Sequence, residues 1–228
     1  MSSAAQSGKF ARAAAASGAP PSLDLPRTAA GWAEHVATDI PALLCDHAHL
    51  EFKAAASALS LLRRPGLPPQ ASLRLTALLR EETEHAQRVL AVLHRRGEAL
   101  RPDRNSPYAA GLLAAAGKPR RRRDGRSDTL LVAALIEARS HERFARLAAC
   151  PALAELAPLY TSLGEAEERH AALFLELAAE LDPPAELAER LTELAAAEAT
   201  LLAQLPQDIR LHGGWPLQPG ACGSRPAG

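Results

Sequence analysis

The apolar positions of this chain fall into a few long Ala- and Leu-rich stretches separated by clusters of chain breakers. Residues 1 to about 27, rich in Ala, Ser and Gly, and about 206 to 228, rich in Gly and Pro, stand apart as a disordered arm and a flexible tail. Between them the chain reads as helices. A short helix is predicted over about Arg27 to Ala37. Thr38 or Asp39 can cap the next one, with Pro41 in its first turn, where a missing N–H costs nothing. This first long helix is predicted from about Ile40 to Arg64 and is ended by Pro65, Gly66, Pro68 and Pro69. A second covers about Ala71 to Arg96 and stops at Gly97. After a polar stretch, about Glu98 to Ser127, a third starts at the Ser127/Asp128 cap and runs to about Ala149. Cys150-Pro151 breaks it; a fourth covers about Pro151 to Leu181, irregular near Pro158. Asp182-Pro183-Pro184 precedes a fifth over about Ala185 to Gln204.

Four helices of roughly 25 residues would each be about 38 Å long. The first link is short, so the helices it joins are antiparallel neighbours. The second is long enough to cross the length of a bundle. Short, long, short is the connection pattern of an all-α, ferritin-like four-helix bundle with one long crossover and additional helices at the ends.

Composition narrows this further. With 228 residues and 47% hydrophobic content, the chain suffices for one domain with a real core, placed at residues 28–205. Aromatics are scarce and unbranched residues abundant, which favours helix over strand. No apolar run approaches the roughly 20 residues that span a bilayer, and Met1 to Pro21 has no compact apolar segment of a secretory signal. Cys45, Cys150 and Cys222 are far apart and odd in number, which argues against a disulfide framework, a zinc ribbon or a rubredoxin-type iron site and for a reducing cytoplasm. The formal net charge is zero, so no global basic field announces a nucleic-acid partner.

The second long helix contains Glu82-Thr83-Glu84-His85 and the fourth Glu167-Glu168-Arg169-His170. Residues i and i+3 share a helix face, so carboxylate and imidazole can reach one metal ion. The first and third helices each offer a Glu in an Ala- and Leu-rich setting: Glu51, which precedes Glu82 by 31 positions, and Glu137, which precedes Glu167 by 30. A Glu from each of two helices and a Glu-x-x-His from each of the other two is the di-iron carboxylate arrangement. Four carboxylates and two ferrous ions make a neutral buried cluster. Oxygen-rich ligands with two imidazoles suit iron or manganese and leave open positions for dioxygen.

Four stretches carry a family resemblance. Leu44-Cys45-Asp46-His47-Ala48-His49-Leu50-Glu51-Phe52-Lys53-Ala54-Ala55, Arg80-Glu81-Glu82-Thr83-Glu84-His85, Ile136-Glu137-Ala138-Arg139-Ser140-His141-Glu142-Arg143-Phe144 and Ala166-Glu167-Glu168-Arg169-His170 resemble motifs of the tRNA methylthio-isopentenyl-adenosine hydroxylases. Asn105 to Leu112 resembles that family's crossover, and the match spans roughly residues 28 to 205. The resemblance implies a non-haem di-iron monooxygenase. It would insert one oxygen atom from dioxygen into the isopentenyl group of the modified adenosine beside the tRNA anticodon, at position 37. Glu51, Glu82, His85, Glu137, Glu167 and His170 are then the ligands of two iron ions. Two electrons must come from outside, so a separate reductase is implied. The alternative from another class is a ferritin-like or rubrerythrin-like protein that binds iron or scavenges peroxide.

Other residues have two readings. Glu81 and Asp46 suit acceptors that orient a ligand imidazole, or surface and capping charges. His47 shares the face of Glu51, as a pocket residue or plain polar core. His35, His49, His94, His141 and His212 are expected to face water. Arg139 and Arg143 are expected in structural ion pairs near Glu142. Tyr108 and Tyr160 are expected to serve packing. Lys118 to Arg126 reads as a grip for tRNA phosphates or a solvated loop.

Overall fold

The computed structural model describes residues 23, 25–64, 69–117 and 126–218. Cys222, most of the expected N-terminal arm, the end of the expected C-terminal tail and Lys118 to Gly125 of the basic run lie outside the described residues. Among the described residues the regular elements are helices and one isolated antiparallel bridge, Thr28 with Leu217. Helix α1 (Trp32–Val36) and a 3-10 turn (Ala37–Asp39) lead into α2 (Ile40–Leu62), where Asp39 accepts from the Ala42 N–H at 3.0 Å and Pro41 sits in the first turn. Then come α3 (Pro69–Arg95), α4 (Pro107–Ala116), α5 (Arg126–Ala149), a 3-10 turn (Pro151–Leu156), α6 (Ala157–Ala179) and α7 (Pro184–Gln204).

Helix α2 packs along α3 and α5 along α6, and α3 meets α6. Helix α4 is the element the sequence reading left as loop. Ser106 caps it through the Tyr108 N–H, and Pro107 occupies its first turn. It lies against α5 and α7, where Gly111 lets Leu201 press on the helix backbone: a Cβ at that position would sit 2.8 Å from a Leu201 methyl.

The apolar interior is two clusters rather than one. The first holds Leu61, Leu75, Leu78, Leu131, Leu135, Phe174 and residues of α4 and α7. The second holds Trp32, Leu43, Leu44, Val89, Leu93, Phe144, Leu147, Tyr160 and Leu163. Along each of the four long helices the chain passes from one cluster to the other, so a belt of the bundle between them is left to polar side chains.

The expected tail from residue 206 is a correction. Residues 206–218 fold back over the bundle: Leu211 and His212 are buried, and Ala29 N–H to Pro216 O and Gln218 N–H to Arg27 O, at 2.8 and 2.7 Å, tie the two ends of the described chain together. Asp46 accepts from the Leu211 N–H at 2.8 Å, and Arg143 donates to the Leu211 and Gly213 carbonyls at 2.5 and 3.0 Å. The Gly214 N–H donates to Pro206 O at 2.8 Å, and a Cβ at Gly214 would stand 1.8 Å from the Leu205 carbonyl oxygen, so only glycine fits this turn.

Candidate metal centre

The polar belt is where the two Glu-x-x-His motifs meet. Glu51 from α2, Glu82 and His85 from α3, Glu137 from α5, and Glu167 and His170 from α6 are all buried there. Ligating atoms of Glu51, Glu82, His85 and Glu167 lie within 4.8 Å of one another, and so do those of Glu82, Glu137 and His170. Glu82 belongs to both groups and is placed to be shared.

The individual distances describe a pocket built for a cation. His85 Nδ1 faces Glu51 Oε2, Glu82 Oε2 and Glu167 Oε1 at 3.6, 3.6 and 3.7 Å. His170 Nδ1 lies 2.8 Å from Glu82 Oε1 without making a hydrogen bond. Both Glu82 oxygens, Glu167 Oε1, His85 Nδ1 and His170 Nδ1 are buried with no hydrogen-bond partner among the described residues. A buried polar atom left unpaired costs about 1–3 kcal/mol, more when charged. Five converging on one space is a donor set that fits metal ions.

A second layer holds these donors in place. His170 Nε2 meets Glu81 Oε2 at 3.1 Å, which keeps the proton on Nε2 and turns the Nδ1 lone pair inward. His47 Nε2 lies 2.7 Å from Glu51 Oε1 and leaves Oε2 to face His85. Tyr160 and Phe144 pack on the His47 ring, with centroids 5.7 and 4.9 Å away. So Glu81 contacts and orients the His170 imidazole. Asp46 does not: it anchors the segment that carries Leu211.

Electrostatics agree. Burial pushes Glu137 up to about 7, with the Glu82 charge adding to it. Burial and the Glu137 charge raise Glu167 well above the usual carboxylate range. Burial also works against Glu51, but the contacts with His47 and His85 outweigh it and hold its carboxyl low. Burial would lower His85, yet the Glu51 and Glu82 carboxylates raise it to about 9. Four carboxylates in one dry space compete for protons that positive ions would replace.

A cavity of about 460 Å³ opens from this centre to the surface. Its inner end is lined by Glu51, Glu137 and Glu167, its length by Leu50, Val132, Ile136 and Phe174, and one wall by Tyr108, Ser140, Leu211 and His212. His212 is the residue the sequence reading misplaced. It is 2% exposed, 3.1 Å from Ser140 Oγ, and stacked on Tyr108 at 4.6 Å. Burial and the Arg143 and Arg139 charges push its pKa well below the usual histidine value, so it is neutral. No spacing signal marked it, because it sits on irregular chain. His94 is exposed as expected, whereas His35 and His49 are half-buried against the Gln207 and Arg101 carbonyls at 2.8 Å. His141, also half-buried, meets the Gly164 carbonyl at 2.7 Å. Arg139 is structural: it forks onto Glu198 at 2.8 and 2.9 Å and reaches Glu142 at 3.0 Å.

Comparison with known proteins points the same way. Over 188 residues the chain is 39% identical to the tRNA 2-(methylsulfanyl)-N(6)-isopentenyladenosine(37) hydroxylase of Pseudomonas putida (strain KT2440), covering 81% of this chain and 89% of that protein. The enzyme of the same name from Salmonella typhimurium (strain LT2) is 34% identical over 146 residues, 63% of this chain and 52% of that one. A solved structure, Protein 43 with aldehyde deformylating oxygenase activity from Synechococcus, superposes with a TM-score of 0.74 at 38% identity, over 83% of this chain and 95% of that one. Residues 23–213 match the family described as tRNA-(MS[2]IO[6]A)-hydroxylase (MiaE), and the chain belongs to that family.

Proposed function

We propose that this protein is a non-haem di-iron monooxygenase that hydroxylates the isopentenyl group of 2-methylthio-N6-isopentenyladenosine at position 37 of tRNA. The observation that carries the reading is the set of buried Glu and His atoms without hydrogen-bond partners, one of which, on Glu167, belongs to a residue at the inner end of the cavity. The names of the Pseudomonas and Salmonella relatives supply the substrate. Glu51, Glu82, His85, Glu137, Glu167 and His170 would hold two iron ions. When bound, the iron supplies reductive activation of dioxygen and the oxidising power to cleave a C–H bond.

The chain's own residues do the rest. Leu50, Val132, Ile136 and Phe174 receive the prenyl group, whose burial is worth about 0.8 kcal/mol per CH₂. The same residues exclude water from the inner carboxylates. Glu81 and His47 keep His170 and Glu51 aimed at the metals. One oxygen atom of dioxygen enters the substrate and the other leaves as water, so two electrons and two protons are consumed. They come from a separate reductase, since no flavin fingerprint or rubredoxin-like cysteine pair is visible in the sequence. No helix among the described residues is long and apolar enough to cross a membrane, and a tRNA substrate puts the reaction in the cytoplasm.

Nucleoside analysis of tRNA from cells with and without the gene tests this. The hydroxylated nucleoside should vanish and its unhydroxylated precursor accumulate on deletion; unchanged amounts of both would sink the reading. A second substrate class follows from the Synechococcus relative's aldehyde activity and from the cavity, which fits a slender alkyl chain. Incubation of the iron-loaded, reduced protein with aldehydes and analysis for alkane separates the two.

A further inference from the structure

The mouth of the cavity is asymmetric. On the α2 side it is lined by Lys53, Ser57, Ser60 and Arg64, all exposed. Lys53, Ser57 and Ser60 lie on α2, and steps of four and three residues at 100° each keep these three within roughly a 60° sector of the helix, while Arg64 lies just past its end. With Arg64 they form one stripe: a cation at each end and two small hydroxyls between, the helical part rising about 10 Å from Lys53 to Ser60. Directly inside the stripe lie Ala54 and then the buried Glu51. On the α4 side the rim is apolar, formed by Ala109 and by Leu113, which is 51% exposed. Among the described residues, the carboxylates lining the cavity are the three at its inner end.

We propose that this stripe is the seat for the sugar–phosphate backbone of the single-stranded anticodon loop, with the modified base turned off it into the cavity beside Leu113. The proposal rests on the hydroxylase reading and names the surface that would hold its substrate. A run of cations with hydroxyl donors tracks phosphates, and an apolar rim favours an unstacked base. The length of the stripe spans a few nucleotides, so the base in the middle stands over the cavity mouth. Serine at positions 57 and 60 keeps the surface low enough for a backbone to approach. Lys53 now pairs with Asp103 at 2.8 Å, and Arg64 donates to Thr129 Oγ1 at 3.3 Å. Both contacts are exposed and weak enough for phosphate to replace.

The test is binding of a fluorescent anticodon stem-loop RNA to the full-length chain, by anisotropy over a range of KCl concentrations. Lys53→Ala and Arg64→Ala should each weaken binding about 5-fold. Each should also reduce the slope of log Kd against log salt by about 0.7, the value for one phosphate contact on a single strand. Ser57→Glu, which places an anion mid-stripe, should weaken it about 10-fold or more. Arg88→Ala, on the exposed face of α3, serves as the control and should leave Kd unchanged. Thermal melts check that every variant is folded. A double Lys53→Ala/Arg64→Ala protein with wild-type Kd and salt slope overturns the proposal, as does an Arg88→Ala loss as large as that of the stripe variants. Hydroxylation of the modified stem-loop by the wild-type chain is scored separately. Product with unaffected variant affinities sinks the stripe alone, whereas stripe-dependent binding without product sinks the hydroxylase reading alone.

Discussion

Two clusters of buried charge lie side by side on α5 and have opposite character. Around Arg139 nearly every polar atom is matched: the guanidinium forks onto Glu198, which also accepts from the Tyr108 hydroxyl at 2.6 Å, and Glu142 accepts from Thr28 and Arg146. Around Glu137, two residues earlier, five polar atoms have no partner among the described residues. A paired cluster specifies how elements fit together, and removing one member leaves the other stranded. A cluster of carboxylates and imidazoles whose inward atoms lack hydrogen-bond partners is compatible with a cation bound among them. The difference teaches that one face of the same helix is matched within the fold while the other carries a carboxylate into a cluster left open to a ligand.

The contrast is sharpest for Arg139→Ala. It strands Glu198 in a site with no exposure and should cost about 3–5 kcal/mol, read as a large drop in the midpoint of chemical unfolding. Loss of iron per folded molecule without loss of stability would break the distinction. Glu81→Ala should act on the other cluster only. Iron affinity in an anaerobic chelator competition should fall about 10–100-fold, with the metal-free protein as stable as before. Glu167→Gln removes one crowded carboxyl, so the metal-free protein should gain on the order of 1 kcal/mol while binding less iron. That sign is opposite to the one expected for Arg139→Ala, which makes the pair of measurements decisive. A pH dependence from His212 bears on the paired side of the comparison. Its folded pKa is depressed, so below about 6.5 the unfolded chain binds a proton that the folded one does not, and stability falls as pH falls, by up to about 1.4 kcal/mol per pH unit. Unfolding curves of His212→Gln between pH 7 and about 5 should be flatter than those of the parent chain by this amount.

How much of this was legible in the sequence depends on whether a residue's neighbours are local. The Glu-x-x-His pairs are local: three positions on a helix fix a shared face, and the structure brings both pairs together with Glu51 and Glu137. That Glu82 would belong to both groups was not legible, since sharing depends on how two helical hairpins meet. Helix α4 fell inside the polar stretch read over about Glu98 to Ser127, and the structure caps it with Ser106. Gly111 is a point of close contact with Leu201. The segment after residue 206 was illegible for a related reason. Its bonds run to Asp46, Arg143 and Arg27, far away along the chain, and follow no period.

One small residue in that segment has a large reach. Because Gly214 is pressed against the Leu205 backbone, any side chain there must lift the return loop off its bed. Leu211 and His212 would retreat with it, and they close the outer wall of the cavity. Solvent would then leak towards the carboxylates, and on the proposed reading dioxygen would be consumed without product. On the proposed hydroxylase reading, the tightness of coupling between oxygen uptake and hydroxylation would then depend on an atom that is missing, far along the chain from the Glu and His cluster.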